Sequence, residues 1–405
     1  MSSPHVSIAG AGLGGLCLAQ ALKQSGVDFD VYERDVALAS RSQGYRLRID
    51  ADGQQALARC LPAPLYALFR QCAIVSQGAR LVGRDLSPAR ALAPERWRSP
   101  EQADSERATA PDLCVHRQTL REILLCGIEN RVHFGMPFER FHTLADDTVR
   151  IEFATGESRT STLLVGADGM HSRVRAQLVP DAQPTGTDAL CIYGKTAATR
   201  ELRERMGAAL CEATSVVFAD EFATIIDPMI FPEQPRDIAA RVAPGFAQGC
   251  QLEPVDDYVY WAFIGSQERL GVGTLPAERD LPALVDALVA SWHPCLRALF
   301  SPGAATAMTI TRVRNAPTPI ASWKPGCVTL LGDAIHAMSP AAGAGANTAL
   351  RDAATLADAI SRSTDLREAV SIWEPRMREW ATRAVRASVE GTRRLCTSVP
   401  LNPKG

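Results

Sequence analysis

The sequence predicts an α/β fold in which a nucleotide-binding domain with a parallel sheet carries an inserted, mostly antiparallel β-sheet domain and ends in helices. Three observations predict it. A glycine-rich strand–turn–helix unit opens the chain, two further turns containing aspartate and glycine follow buried strands, and residues 182–314 are rich in apolar and β-branched runs. The nucleotide-binding domain is therefore expected to be assembled from separated segments.

The opening segment has the pattern of a dinucleotide-binding unit. Residues 6–9 are expected to form a buried strand and residues 13–25 a helix, with Gly10, Gly12 and Gly15 in the turn between them. Gly10 permits the tight turn, Gly12 lets a pyrophosphate approach the backbone, and Gly15 lets the helix pack against the strand. The helix N-terminus also suits phosphate oxygens. A bound dinucleotide is the favoured interpretation, and a purely structural turn is the alternative.

An acidic residue ends the next predicted strand. Residues 29–32 form that strand, and Glu33 follows it. Its carboxylate can accept hydrogen bonds from both hydroxyls of an adenosine ribose. Strand, turn, helix, strand and acid in this order indicate a nucleotide site more strongly than the glycines alone.

Length and composition restrict the class of protein. A chain of 405 residues exceeds the size of a single core, so two domains are expected. A hydrophobic content of 46% and a net charge of −2 give no electrostatic reason to expect nucleic acid or a membrane surface. The chain lacks an apolar run near the roughly 18 residues that a membrane-spanning helix needs, and the first strand begins too early for a signal peptide. The 11 cysteines include no CxxC pair, which favours a cytoplasmic protein without a zinc site or disulfide framework.

Periodicity and composition divide the rest of the chain. One helix, at residues 281–291, is expected to interrupt the strands of the β-sheet domain. The predicted divisions are, in order, 1–75 (first segment of the nucleotide-binding domain), 76–110 (an irregular excursion toward the β-sheet domain), 111–181 (second segment of the nucleotide-binding domain), 182–314 (β-sheet domain), 315–362 (third segment of the nucleotide-binding domain) and 363–405 (C-terminal helical segment).

Two further motifs place acids and glycines after buried strands. Asp168 and Gly169 follow the first of these strands, and Asp333 follows the second. In a doubly wound fold, the carboxyl ends of the strands are where ligands bind. Asp333 can accept hydrogen bonds from the hydroxyls of a sugar-like chain, with helix capping as the alternative. The glycine-rich turn at residues 343–347 would direct backbone N–H groups toward an electron-rich ring edge.

With these three motifs in this order, the chain resembles the single-component, FAD-dependent group A aromatic hydroxylases, which have the para-hydroxybenzoate hydroxylase fold. The resemblance covers nearly the whole chain, although residues 181–314 match only in pattern. It implies a Rossmann-like FAD-binding domain with an inserted substrate domain. It also implies that NADPH or NADH reduces FAD and that a C4a-hydroperoxyflavin passes one oxygen atom of O2 to an aromatic or polyketide-like small molecule, with hydroxylation as the expected outcome.

The resemblance assigns the FAD contacts position by position. The ADP half of FAD would contact Gly10, Gly12, Gly15, Glu33 and Arg34, and the pyrophosphate would lie near Asp168 and Gly169. Asp333 would hold the ribityl chain. The pyrimidine edge of the isoalloxazine would lie against Pro340, Gly343, Gly345 and Asn347.

Several residues have an alternative to a functional role. Arg117 matches an arginine at a helix start that contacts FAD in the family, although an exposed helix start would explain it as well. Arg46 is the candidate catalytic residue beside the flavin or substrate, but Arg46 and Arg48 share a strand face that could simply be solvated. His336 invites a general-base role, and local hydrogen bonding is the simpler interpretation. An apolar substrate pocket could include four residues that a sheet core would also use, namely Phe218, Phe222, Met229 and Phe231.

Other functions remain open on the same scaffold. A Baeyer–Villiger or epoxidising oxygenase, an antibiotic-inactivating oxygenase and a flavin reductase would carry the same FAD motifs. The WxWxIP signature of flavin halogenases is absent. A ligand-binding homologue without turnover is the alternative outside enzymes. The expected partners are a small-molecule substrate and O2, with the protein a monomer or a homodimer.

Overall fold

The computed structural model describes residues 4–38, 40, 45–89, 110–219, 222–247, 249, 251–300 and 305–396. Most of the expected irregular excursion therefore lies outside the described residues. The strands are β1 (His5–Ala9), β2 (Asp28–Glu33), β3 (Arg46–Ile49), β4 (Ile74–Val75), β5 (Ala79–Gly83), β6 (Leu113–His116), β7 (Val132–Phe134), β8 (Phe138–Thr143), β9 (Val149–Phe153), β10 (Ser158–Ser161), β11 (Leu163–Gly166), β12 (Thr185–Ala197), β13 (Thr214–Ala219), β14 (Phe222–Met229), β15 (Tyr258–Ser266), β16 (Ala305–Asn315) and β17 (Val328–Leu330).

Helices separate these strands. They are α1 (Leu13–Gln24), α2 (Ala51–Cys60), α3 (Ala63–Cys72), α4 (Arg117–Leu125), α5 (Arg173–Leu178), α6 (Arg200–Met206), α7 (Ala208–Glu212), α8 (Pro235–Val242), α9 (Pro244–Ala247), α10 (Leu281–Val289), α11 (Pro294–Arg297), α12 (Asp333–His336), α13 (Gly345–Ser361) and α14 (Leu366–Cys396). The predicted α/β fold class is confirmed.

Three strands of a five-stranded parallel sheet lead into the three sequence motifs. Its strand order is β17-β11-β1-β2-β7, and every neighbouring pair is parallel. Val6 and Ile8 of β1 are completely buried, as expected for a sheet covered on both faces. Because parallel strands end at the same edge, the turns after β1, β11 and β17 lie side by side.

A six-stranded sheet forms the second large layer. Its order is β16-β12-β15-β14-β13-β5, and only the β13–β5 pair is parallel. The outer face of this sheet packs Trp261 and Phe263 against Trp292 and Phe300. Three-stranded antiparallel sheets, β10-β9-β8 and β3-β6-β4, complete the β structure of the described chain.

The expectation of a single helix within residues 182–314 is wrong. Besides α10, the segment contains α6, α7, α8, α9 and α11, which have between four and eight residues each. Helices this short complete too few turns to produce a recognisable 3.6-residue period. Local capping supports at least one of them, since the Thr199 hydroxyl accepts a hydrogen bond from the Leu202 N–H at 3.2 Å.

The C-terminal helix α14 contacts both large sheets. Met377, Ala381 and Val385 are buried in the core around the parallel sheet. Near the end of the helix, Leu395 is buried in a cluster with Phe218 and other residues of the six-stranded sheet. This helix therefore ties the two layers together.

Two general properties follow from the described residues. No described helix is both long enough and apolar enough to cross a membrane. Nine of the described cysteines are free thiols, whereas Cys126 is disulfide-bonded, which departs from the expectation of a chain without disulfides.

Candidate active site

One cavity of about 620 Å³ lies between the carboxyl edge of the parallel sheet and the inner face of the six-stranded sheet. Its walls include the turns after β1, β11 and β17, strand β3, the start of α4, and side chains from β12, β14, β15 and β16. Its volume falls within the range of cofactor and small-molecule sites. All three sequence motifs therefore meet in one space.

The glycine turn after β1 is tight in two places and open in a third. A Cβ on Gly10, whose φ is +110°, would lie 2.4 Å from the Ala167 carbonyl oxygen, and one on Gly15 would lie 2.1 Å from the Gly10 oxygen. A Cβ on Gly12 would meet no atom within 4 Å. Gly10 and Gly15 are therefore required by the fold, while Gly12 leaves backbone open to the cavity.

Glu33 faces this turn from the end of β2. Its Oε2 accepts a hydrogen bond from the Ala11 N–H at 2.7 Å, and its Oε1 accepts one from the Asp35 N–H at 3.0 Å. The residue is only 6% exposed. Each carboxylate oxygen retains a further lone pair for a ligand hydroxyl. Arg34 follows Glu33 on the same cavity wall.

Asp168 combines helix capping with an open acceptor. Its Oδ2 accepts a hydrogen bond from the Arg173 N–H at 2.8 Å, at the start of α5. Its Oδ1 is buried and has no hydrogen-bond partner among the described residues. Burial raises the pKa of Asp168 above its ordinary value. Both Asp168 and Gly169 line the cavity.

Asp352 of α13 supports the turn after β17 through hydrogen bonds. The Asp352 Oδ2 atom accepts a hydrogen bond from the Gly332 N–H at 3.0 Å and lies 2.6 Å from the Nε2 atom of His336. Burial lowers the pKa of His336, but the charge and hydrogen bond of Asp352 outweigh that effect and raise it. Asp333, the residue after Gly332, lies exposed on the cavity wall. His336 is completely buried and makes the local hydrogen bond expected of a structural histidine.

The segment that leads into α13, with the first residue of that helix, also lines the cavity. Pro340, Gly343 and Gly345 face the cavity, and Gly343 has a φ of +61°. Asn347 does not line it. Its Nδ2 donates to the Arg48 and Gly343 carbonyl oxygens at 3.0 and 3.1 Å, so this side chain braces the turn.

Arg117 presents a partly buried guanidinium group to the cavity. Its backbone N–H donates to the Tyr45 carbonyl oxygen at 2.8 Å, which places the first residue of α4 on the cavity wall. The Nε atom is buried and has no hydrogen-bond partner among the described residues. Burial lowers the pKa of Arg117, and the charge of Asp333 acts against this. Such a cation is costly unless a ligand oxygen pairs with it.

Arg46 is not part of a solvated face. Its guanidinium Nε forms an ion pair with Oδ2 of Asp227 on β14, and its Nη2 donates to the Cys114 sulfur at 3.0 Å. Burial lowers the pKa of Arg46, but the charge of Asp227 outweighs that effect, so the arginine stays protonated. The neighbouring Arg48 donates to the Ala342 carbonyl oxygen at 2.9 Å. Both arginines line the cavity.

The four expected substrate residues lie off the cavity wall. Phe222 packs on Trp292 at 6.2 Å in the outer core, and Phe231 packs on Tyr258 at 6.0 Å. Phe218 and Met229 are buried in separate apolar clusters. The wall instead carries alternate residues of the inner sheet face, namely Cys191, Tyr193, Ile225, Tyr260, Ala262, Ile264 and Thr311. Side chains of residues 258–264 point alternately to the two faces of the sheet, and those on both faces are apolar or aromatic. The sequence therefore did not show which face meets the cavity.

Comparison with known proteins shows which proteins this chain resembles. Residues 8–59 match the family described as NAD(P)-binding Rossmann-like domain, and residues 287–368 match the family described as FAD binding domain. The dual O-methyltransferase/FAD-dependent monooxygenase CTB3 of Cercospora beticola is 35% identical over 97% of this chain, but the match covers 46% of that protein. This chain thus spans about half the length of that relative. The aurachin C monooxygenase/isomerase of Stigmatella aurantiaca is 27% identical over 91% of this chain and 84% of its own.

A solved structure agrees with these matches. A protein of Photorhabdus luminescens described as an FAD-containing monooxygenase superposes with a TM-score of 0.80 at 28% identity, covering 98% of this chain and 100% of its own. The chain is therefore similar to FAD-dependent monooxygenases and has the α/β fold of that class. FAD is the cofactor of this class, and a nicotinamide dinucleotide is its reductant.

Proposed function

We propose that this chain is an NAD(P)H-consuming monooxygenase that inserts one oxygen atom of O2 into an aromatic or polyketide-like small molecule, with hydroxylation as the reaction. The observation that carries the proposal is the single cavity in which all three nucleotide motifs face an aromatic and apolar sheet wall. A cofactor and a substrate can therefore lie against each other in one cavity.

The cavity fits FAD at both ends. Open space above Gly12 and the acceptors of Glu33 suit the pyrophosphate and the adenosine ribose. Asp333 offers a carboxylate to the ribityl chain, and the unpartnered Nε of Arg117 lies on the same wall. We assign to FAD the residues Gly10, Gly12, Gly15, Glu33, Arg34, Arg117, Asp168, Gly169, Asp333, Pro340, Gly343 and Gly345, and we assign Asn347 the supporting role of bracing the turn.

When bound, FAD supplies the redox and oxygen chemistry. The chain's own residues bind, orient and exclude water. Tyr193 and Tyr260 offer hydroxyl groups to the substrate, and burial raises the pKa of both, so they remain neutral donors. Ile225 and Ile264 complete an apolar wall that excludes water from the reacting atoms.

Isotope labelling tests the proposal. The purified protein is loaded with FAD and supplied with NADPH or NADH, ¹⁸O2 and a panel of phenols, naphthols and hydroxyanthraquinones. The proposal predicts nicotinamide oxidation that a substrate accelerates and a product that carries one ¹⁸O atom. Failure to bind FAD, or a product whose added oxygen comes only from water, would contradict it.

The compartment is a separate proposal. The nine free cysteines among the described residues support a reducing cytoplasm, and the disulfide at Cys126 is the observation against it.

A further inference from the structure

A buried ion pair in the cavity wall links two sheets of the molecule. Arg46 lies on β3 of the three-stranded sheet, and Asp227 lies on β14 of the six-stranded sheet. Their side chains are 13% and 6% exposed. Breaking such a pair from one side leaves an uncompensated buried charge, whereas replacing both partners with apolar residues is often tolerated.

Both partners are held in place by neighbours. The Cys114 sulfur accepts a hydrogen bond from Nη2 of Arg46, and the Thr214 hydroxyl donates to Oδ1 of Asp227 at 3.2 Å. The guanidinium group of Arg46 carries more N–H donors than these two neighbours occupy. Because Arg46 lines the cavity, a guanidinium N–H can donate to a ligand there.

The second arginine of β3 is also paired. Arg48 lies 3.5 Å from Oδ2 of Asp112 in addition to its bond to the Ala342 carbonyl oxygen. The facing sheet wall contributes the neutral hydroxyl groups of Tyr193 and Tyr260. Around β3 the cavity therefore offers several hydrogen-bond donors, while the charges of Arg46 and Arg48 are each paired with a carboxylate.

We infer that the substrate is a neutral aromatic molecule bound through hydroxyl or carbonyl oxygens, and that Asp227 sets this preference by neutralising Arg46. The inference rests on the proposed function, because it takes this cavity as the substrate site. A phenol or ketone oxygen needs only a donor at the wall. An ionised carboxylate would lose its hydration beside an ion pair that has no net charge to replace it. Arg117 is a further cation on this cavity wall; its charge acts on Tyr193 and Tyr260, and the charge of Asp333 offsets it.

Two probes with the same ring test the inference. At pH 7, 2-naphthol is a neutral phenol and 2-naphthoate is an ionised carboxylate, since such groups titrate near 10 and near 4, respectively. Naphthalene fluorescence reports their dissociation constants with the FAD-loaded protein. The native protein is expected to bind 2-naphthol at least roughly tenfold more tightly than 2-naphthoate. Asp227→Asn, which leaves Arg46 charged and unpaired, is expected to shift this ratio toward 2-naphthoate by about tenfold, or about 1.4 kcal/mol.

Matched variants separate charge from packing. Thr214→Val removes the hydroxyl group that donates to Asp227 but keeps the ion pair between Asp227 and Arg46. The ratio of the two dissociation constants should therefore stay within about twofold of the native value. The double variant Arg46→Met with Asp227→Leu removes both charges and should keep the preference for 2-naphthol.

The inference is overturned by several results. These are native binding of 2-naphthoate as tight as that of 2-naphthol, no measurable binding of 2-naphthol, or an unchanged ratio in folded Asp227→Asn. If Asp227→Asn does not fold, the ratio of the two dissociation constants in the native protein alone decides for or against the inference. Flavin absorbance in the same samples reports FAD content separately. Loss of flavin therefore counts against the proposed function, while the probe ratio counts for or against the inference.

Discussion

The Nε2 atom of His336 and the Oδ2 atom of Asp352 lie 2.6 Å apart, and both side chains are completely buried beneath the turn that presents Asp333. The same carboxylate accepts hydrogen bonds from the Gly332 N–H and, through Oδ1, from the Trp380 indole of α14 at 2.8 Å. Asp352 thus joins the cavity turn, helix α13 and the C-terminal helix. It acts on the cofactor site through other groups and is a positioning residue.

Replacing Asp352 should weaken FAD binding more than it weakens the fold. Asp352→Asn removes the charge that holds His336 and the Gly332 N–H, so the turn carrying Asp333 loses its fixed position. We expect FAD affinity to fall roughly tenfold, in line with the loss of one charge-assisted hydrogen bond. Titration of the apoprotein with FAD, followed by flavin fluorescence, measures this.

Glu374 provides a matched control. It is a buried carboxylate on α14 that accepts hydrogen bonds from the Trp323 indole at 2.7 Å and the Thr329 hydroxyl at 2.8 Å, away from the cavity wall. Glu374→Gln should lower the melting temperature while FAD affinity stays near the native value. Equal losses of FAD affinity in the two variants would show that Asp352 acts only through general stability.

Alanine substitution at two glycines of the first turn should affect different properties, FAD affinity at Gly12 and stability at Gly15. Gly12→Ala adds a Cβ that meets no protein atom within 4 Å, at an ordinary φ of −78°, so the apoprotein should keep its stability and lose affinity for FAD. Gly15→Ala places a Cβ 2.1 Å from the Gly10 oxygen and should destabilise the fold by roughly 2 kcal/mol. Urea unfolding of the apoproteins and FAD titration measure both effects. A Gly12→Ala protein that binds FAD as tightly as the native protein would argue against a phosphate site here.

Asp333→Ala should release FAD while preserving the fold. The side chain lies exposed on the cavity wall, so its removal costs little packing. The expected result is reduced flavin content after gel filtration or slower turnover, with an unchanged circular dichroism spectrum. Full flavin content together with native turnover would show that Asp333 does not hold the cofactor.

Acid should remove a stabilising contribution from Asp30. Partial burial raises the pKa of this carboxyl, but hydrogen bonds from His5 at 2.9 Å and His133 at 2.8 Å outweigh that and hold the pKa below its ordinary value of 3.8. A carboxyl with a lowered pKa in the folded state stabilises the protein above its unfolded pKa. That contribution disappears as pH falls through the folded value.

Urea unfolding at pH 6 and at pH 3 tests this effect. Asp30→Asn should lower the free energy of unfolding by less than about 1 kcal/mol at pH 6 and by a smaller amount at pH 3. Asp286→Asn, at an exposed position on α10, serves as the control and should change neither value. A loss for Asp30→Asn that is larger at pH 3 than at pH 6 would contradict the assignment.

The nucleotide half of the site could be predicted because its signals are local. A tight turn requires Gly10, helix packing requires Gly15, and an acid at a strand end such as Glu33 or Asp333 is visible in a short stretch of sequence. Parallel strands then bring separate turns to one edge of the sheet as a matter of geometry. Asn347 is the exception, because its side chain points back to the Arg48 carbonyl oxygen.

The substrate wall could not be predicted from local pattern. Tyr260 and Ala262 alternate with Trp261 and Phe263, and either face would bury apolar side chains. The packing of the rest of the molecule decides which face becomes core and which meets the cavity. The pairing of Arg46 with Asp227 joins residues 181 positions apart, and no short-range signal records it.

The most direct test of the central claim follows the flavin through one oxidative half-reaction. The FAD-loaded protein is reduced without oxygen, mixed rapidly with O2 in the presence and absence of candidate aromatics, and followed by absorbance. The account predicts a transient absorbance band before oxidised flavin returns, together with a hydroxylated product when a substrate is present. Direct return to oxidised flavin under every condition, with all electrons recovered as hydrogen peroxide, would contradict it.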